Sequence, residues 1–158
     1  MLEPQDVCQL LGPEDLLVLR RGFRRAVLSR AAHAVCVGPY AAAAPAVEGW
    51  LGLFYEQGAL LEPAQRELVL NALLAAEGHR REVAIHVYWG LMEGLGPEQL
   101  AATFLLIGMY AGIDAYRSAI RVMQSVCRTL RELAATGGVA VETENVIREL
   151  GRQDLLPT

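Results

Sequence analysis

Lysine is absent from this chain: all 14 of its basic residues are arginine. Without an ε-amine there is no Schiff base to form, which excludes ordinary pyridoxal-phosphate chemistry and lysine-type aldolases. The Walker lysine of a P-loop is excluded for the same reason. Cysteine is scarce. Cys8, Cys36 and Cys127 stand far apart, with no C-x-x-C pair and no zinc-ligand spacing. An odd cysteine count with no signal peptide predicts a reducing, cytoplasmic setting, and each cysteine reads as a small buried hydrophobe. Long apolar runs are missing as well. Residues 31–47 carry no charge but contain Gly38, Pro39 and Pro45, and residues 100–113 fall short of the ~18 apolar residues that a membrane span needs. Strand alternation is confined to Val139 and Val141. A net charge of −4 argues against nucleic acid or an anionic membrane as partner.

What is present is oil. The 158 residues are 53% hydrophobic and 20% charged, with a mean hydropathy of +0.27. Such a length predicts one domain spanning residues 1–158, able to bury roughly 70% of its unfolded surface. A helical chain this apolar is expected to hide part of its surface in contacts with copies of itself.

The punctuation is helical. Leu2-Glu3-Pro4, Leu11-Gly12-Pro13, Leu61-Glu62-Pro63 and Leu95-Gly96-Pro97 each set proline where a first helical turn accepts it. The expected elements are a helix from Pro13 to Ala34, one from Ala43 to Gln57, and one from Pro63 to Gly78. Three more run from His79 to Gly94, from Pro97 to Ala111 and from Asp114 to Ala135. A short helix from Val141 to Leu150 precedes a tail, 151–158, expected to fray. The class is all-α, with six to seven helices. The first helix carries Arg20, Arg21, Arg24 and Arg25, read as a solvated or subunit-facing side, with an anionic ligand as the other use. Leu68, Leu70, Leu73 and Leu74 make the Pro63 helix apolar nearly all round, so it is expected to be central. Glu67 is conspicuous on it.

The densest ionisable stretch is His79 to Gly94. On a helix, His79, Glu82, His86 and Gly90 share a face, and Glu82 and His86 are close enough to touch. A Glu-His pair on an apolar stripe is either a salt bridge or a device for moving protons. Tyr88 and Tyr110 read as packing residues with a polar handle. His79 and His86 lack the i, i+4 spacing of a zinc helix, so no metal site is expected.

Arg66-Glu67-Leu68, then Glu82-x-x-x-His86, then Gly94 through Leu100, then Tyr110-Ala111-Gly112 and Ala115 through Ala119 to Val122 form an ordered series. In that order and spacing, over residues 65–122, the chain resembles the carboxymuconolactone decarboxylase and alkylhydroperoxidase-D (AhpD-like) superfamily. The resemblance implies a helical domain built on a helical hairpin and assembled as homotrimers or homohexamers. It implies a site near a subunit contact, in which Glu67 and His86 match the proton relay. His79 and Glu82 stand where the peroxidase branch has its two cysteines. The thiol cycle of that branch needs a nucleophilic and a resolving thiol, and both are missing at those positions. The decarboxylase branch has no thiol pair and uses no cofactor, and this chain is closer to it at the motif.

The expected site is therefore Glu67, Glu82 and His86 for catalysis, with His79 and Tyr110 as substrate contacts and no cofactor or metal. Arg80 and Arg81 are the arginines nearest in sequence for a substrate carboxylate. Three function classes follow. The first is a cofactor-free lyase or proton-transfer enzyme on a small organic acid. The second is a non-catalytic helical oligomer that keeps the fold. The third, and weakest, is a thiol peroxidase with displaced cysteines.

Overall fold

The computed structural model describes residues 4–30 and 61–152, together with residues 45, 46 and 49. The expected helix from Ala43 to Gln57 and the tail lie largely outside the described residues. Among the described residues the regular elements are all helical, as the sequence predicts. They are α1 (Pro4–Cys8), α2 (Pro13–Gly22), α3 (Pro63–Ala76), α4 (Arg80–Met92), α5 (Pro97–Tyr110), α6 (Ile113–Thr136) and α7 (Thr143–Arg152). A 3-10 turn, Gly138–Val141, links the last two. No described helix is long and apolar enough to cross a membrane.

The Leu-x-Pro punctuation works as a helix start by a shared device. Proline occupies the first turn, and the side chain three residues past the cap folds back onto the cap's backbone N–H. Gly12 N donates to Asp15 Oδ2 at 2.9 Å, Glu62 N to Gln65 Oε1 at 3.1 Å, and Gly96 N to Gln99 Oε1 at 2.9 Å. Each bond satisfies a donor that a helix end otherwise leaves to water.

The centre of the fold is α6, which touches every other described helix. Tyr116, Ile120, Met123, Cys127, Leu130 and Ala134 are buried along one side of it, at helical spacing. Arg117, Arg121, Arg128 and Arg131 are exposed on the other. Against α6 pack α4, with Tyr88, Trp89 and Leu91 fully buried, and α5, with Leu100 and Phe104.

Two expectations need correction. The helix that starts at Pro13 does not continue to Ala34. It stops at Gly22; Phe23 is extended (φ −71°, ψ 133°), and helix resumes over 25–30. The cause is tertiary. Arg24 N donates to Thr143 Oγ1 at 2.7 Å, in place of a helical carbonyl, and Gly22 lies flush against the Val141 carbonyl. Helix α3, in turn, is not apolar all round its buried side. Its buried residues are Arg66, Glu67, Asn71 and Ala75, while Leu73 is 59% exposed and Val69 is also exposed. The polar residues face in and part of the oil faces out.

The arginine cluster also has a described role. Arg20 Nε and Nη2 donate to Leu91 O at 3.2 and 2.9 Å, and Arg25 pairs with Glu93. Both close the C-terminal end of α4, where cations suit the helix dipole and free carbonyls need donors.

Gly22 is the tightest joint in this arrangement. A Cβ there would lie 2.2 Å from Val141 O and 2.7 Å from its carbonyl carbon, both backbone atoms that cannot swing away. Gly22→Ala is expected to lower stability by roughly 1–3 kcal/mol, read from urea unfolding. A variant as stable as the parent would show that the chain does not run through this joint.

Candidate active site

Glu67 lies in the second turn of α3, on the face turned to α4. Its side chain is fully buried, at 0% exposure. Oε2 lies 2.8 Å from His86 Nδ1, and Oε1 accepts from Arg66 Nε at 3.3 Å. The backbone beneath the pair is stapled. Asn71 Nδ2 donates to Glu67 O at 2.9 Å and to His86 O at 3.0 Å, so one amide ties α3 to α4 at the two residues in question. Both bonds go to carbonyls, which fixes that end of Asn71 as its NH2.

The ring of His86 has two working edges. Nδ1 faces Glu67. An ionised carboxylate accepts only, so Nδ1 carries the hydrogen and Nε2 is left on the opposite edge. The side chain is 12% exposed, and so not sealed from its surroundings. Arg66 balances the Glu67 charge, and the imidazole can therefore exchange a proton without stranding a lone buried anion.

Trp89 forms a wall beside both groups. The His86 ring stacks on it with centroids 5.8 Å apart and planes at 10°, and Arg66 Cζ sits 5.8 Å from its ring centroid. Trp89 Nε1 donates to Glu93 Oε1 at 3.0 Å. Sequence reasoning missed Trp89 and Glu93. Their signal was the spacing: residues 86, 89 and 93 fall on one helical face.

The remaining expected residues take other positions. Glu82 is half-buried in the first turn of α4, and the described contacts of His86 do not include it. The carboxylate that meets His86 comes from α3, although the i, i+4 spacing allows Glu82. His79 is the exposed cap residue of α4. Tyr110, 88% exposed at the end of α5, is not a packing residue within this chain, whereas Tyr88 is fully buried and meets Phe23 edge-on at 5.9 Å. Among the described hydrogen bonds, ion pairs and ring contacts, none joins His79 or Tyr110 to Glu67 or His86. The arginine beside the pair is Arg66. Arg80 donates to Ser118 Oγ at 2.8 Å, and Arg81 is exposed and reaches toward Gly151.

Among the described residues, no three His, Cys, Asp or Glu side chains converge as a metal ion requires. A cavity of about 540 Å³ lies elsewhere, between the end of α2 and the start of α7, lined by Arg21, Arg24, Thr143 and Glu144 among others. It holds charge but neither Glu67 nor His86. The thiols give little support to redox chemistry. Burial pushes Cys127 up to about 12, with Cys8 adding a smaller push, and Cys8 is itself raised, by burial first. Thiolate attack requires the opposite shift. Cys36 lies outside the described residues.

This arrangement has a place among known proteins. The chain belongs to the carboxymuconolactone decarboxylase family, whose model matches residues 40–125. The match takes in α3, α4, α5 and the first half of α6, and with them every residue of the Glu67–His86–Trp89 cluster. Neither a curated protein nor a solved structure matches the chain.

The buried titratable groups set an alkaline limit on the fold. Burial pushes Tyr88 from its ordinary 10.0 to about 12, and Cys127 from 9.0 to about 12. Both are neutral when protonated. Between their ordinary values and about 12, the native state keeps protons that the unfolded chain has released. Their contribution is complete below about pH 9 and is lost as pH rises toward 12, at up to about 1.4 kcal/mol per pH unit for each group. Urea midpoints measured from about pH 8 to 11 should fall; a flat profile would contradict the burial of these two groups.

Proposed function

We propose that this protein is a cofactor-free lyase or proton-transfer enzyme acting on a small organic acid, with His86 as the proton carrier and Glu67 as the carboxylate that orients it. The single observation that carries this reading is the 2.8 Å contact between His86 Nδ1 and the fully buried Glu67 Oε2. A carboxylate on Nδ1 holds the tautomer and ring direction, which leaves Nε2 to meet the substrate.

The family's name supplies the substrate class: an unsaturated lactone bearing a carboxylate. In such a reaction the bond between the ring carbon and the carboxylate breaks, CO2 leaves, and the electron pair spreads into the conjugated lactone. With both ring nitrogens protonated, Nε2 then places its proton on carbon, which leaves the neutral Nδ1–H form; Nε2 recovers a proton from water, and the hydroxide joins the released CO2 as bicarbonate. The chemistry needs a donor near the developing enolate charge and a poised acid, and one histidine can supply both. Glu82, His79 and Tyr110 remain outside this minimal device.

Two rival readings are distinguishable. A non-catalytic oligomer would keep the Arg66–Glu67–His86 cluster as a buried structural network. A thiol peroxidase is disfavoured by His79 and Glu82 at the cysteine positions and by the raised Cys127. Screening small unsaturated lactone acids for CO2 release should find turnover. His86→Gln should reduce it by about 10²–10⁴-fold, with the fold retained by circular dichroism, and Glu67→Gln should also reduce it. Full turnover in His86→Gln would sink the proton-carrier role. Unfolding or dissociation as the only effect of these variants would favour the structural network. A triple Cys→Ser variant is expected to be fully active.

We also propose that the partner of this chain is a second copy of itself, in a homotrimer or homohexamer. Along α5 the exposed side is Leu105, Leu106, Met109 and Tyr110, continued by Ile113, and α3 adds Val69 and Leu73. Together they present on the order of 800 Å², about what each partner of a standard interface buries. No charge interrupts residues 99–113, so copies can meet there without bringing like charges together. Met109→Glu combined with Leu73→Glu should shift the light-scattering mass in solution toward the 17.2 kDa monomer. A parent chain that is already monomeric at micromolar concentration would overturn the proposal.

A further inference from the structure

We infer that Trp89, locked by Glu93 and Arg25, is a positioning residue for His86: it holds the imidazole so that Nδ1 stays in line with Glu67. The inference rests on the proton-carrier reading above and adds what fixes that carrier in place. A histidine side chain has two free torsions, and a single hydrogen bond does not stop the ring from tilting or flipping. Here a second surface restricts it. The indole lies nearly parallel to the imidazole, at a ring separation typical of offset stacking. On its own, a tryptophan could slide. This one is pinned, because Nε1 donates to Glu93 Oε1 at 3.0 Å, and Glu93 is only 7% exposed. Glu93 is held in turn by a two-pronged contact from Arg25, with Nε at 2.8 Å from Oε1 and Nη2 against Oε2. Planar guanidinium–carboxylate pairing fixes orientation as well as distance. Arg66 also sits over the indole while bonding Glu67. The chain of contacts therefore closes on itself: Arg25, Glu93, Trp89, His86, Glu67, Arg66 and back to Trp89.

One member comes from outside the family segment. Arg25 precedes residue 40 and opens the helical stretch that resumes after the break at Phe23 and Arg24.

The test is the tautomer ratio of His86, by nitrogen-15 NMR of the histidine-labelled full chain above the imidazole range. The chain has three histidines, and His86→Gln assigns the signal. The parent is expected to favour the Nδ1–H form. Trp89→Phe and Glu93→Gln should lower the Nδ1–H to Nε2–H ratio by about three- to tenfold, the range set by the net strength of one hydrogen bond; Arg25→Met should lower it less. Trp89 is buried, and should Trp89→Phe fail to fold, Glu93→Gln and Arg25→Met carry the test, the latter at an exposed side chain. Val83→Ala, a buried truncation on the same helix, should reduce stability without moving the ratio. An unchanged ratio in folded Glu93→Gln and Arg25→Met, or an equal drop in Val83→Ala, overturns the positioning role. A parent with no Nδ1–H preference is a different failure: it removes the Glu67-oriented carrier itself, and the positioning role with it.

Discussion

Taking a carboxylate fully out of water costs several kcal/mol unless its charge is matched and its lone pairs are filled. Glu67 meets both conditions, but only once α3 and α4 have docked. One oxygen needs Arg66 from its own helix and the other needs His86 from the next, and Asn71 must bridge the two backbones. An apolar pairing of α3 and α4 could slide by a turn at modest cost. This one resists a slip, which would take His86 from Glu67 Oε2 and Asn71 from the His86 carbonyl and leave buried polar groups short of partners. The contacts that join Glu67 to His86 also fix the register of the two helices that carry them.

The same constraint accounts for the odd distribution of oil on α3. A helix that turns Arg66, Glu67 and Asn71 inward has fewer inward positions left for leucine, and Leu73 and Val69 fall on the outer side. The hydrophobic anchor of the fold passes to α6, which contacts every other described helix. Helix α4 is held against it by Tyr88, Trp89 and Leu91, and the end of α4 is closed by arginines from the N-terminal segment.

Much of this was legible in the sequence, and the unread parts share a cause. Helix starts could be read because proline and the back-folding Asp or Gln sit within four residues of each other. The two-sided character of α6 could be read because arginines and apolar residues alternate at helical period over six turns. Glu67 and His86 emerged from an ordered series of residues, not from local pattern. The break after Gly22 was hidden because its cause, Thr143, lies 119 residues further on. The choice of Glu67 over Glu82 was hidden for the same reason: spacing states which pairs can meet, and packing decides which do. The inverted face of α3 misled directly, since its leucines imitate the pattern of a core helix. Trp89 and Glu93 were within reach, one and two turns past His86 on the same face.

The α2 break has a bearing on portability. The family segment, residues 40–125, carries Glu67 and His86, yet Arg20 and Arg25, the groups that finish α4, lie before it, and the second half of α6 lies after it. Phe23, which packs on Tyr88, and Thr143, which receives Arg24, are likewise outside. The matched segment is thus not a self-sufficient cassette in this chain. Its flanks act as an external brace, and grafting residues 40–125 alone onto another scaffold would transfer Glu67, His86 and Trp89 without the arginine contacts that close the end of their helix.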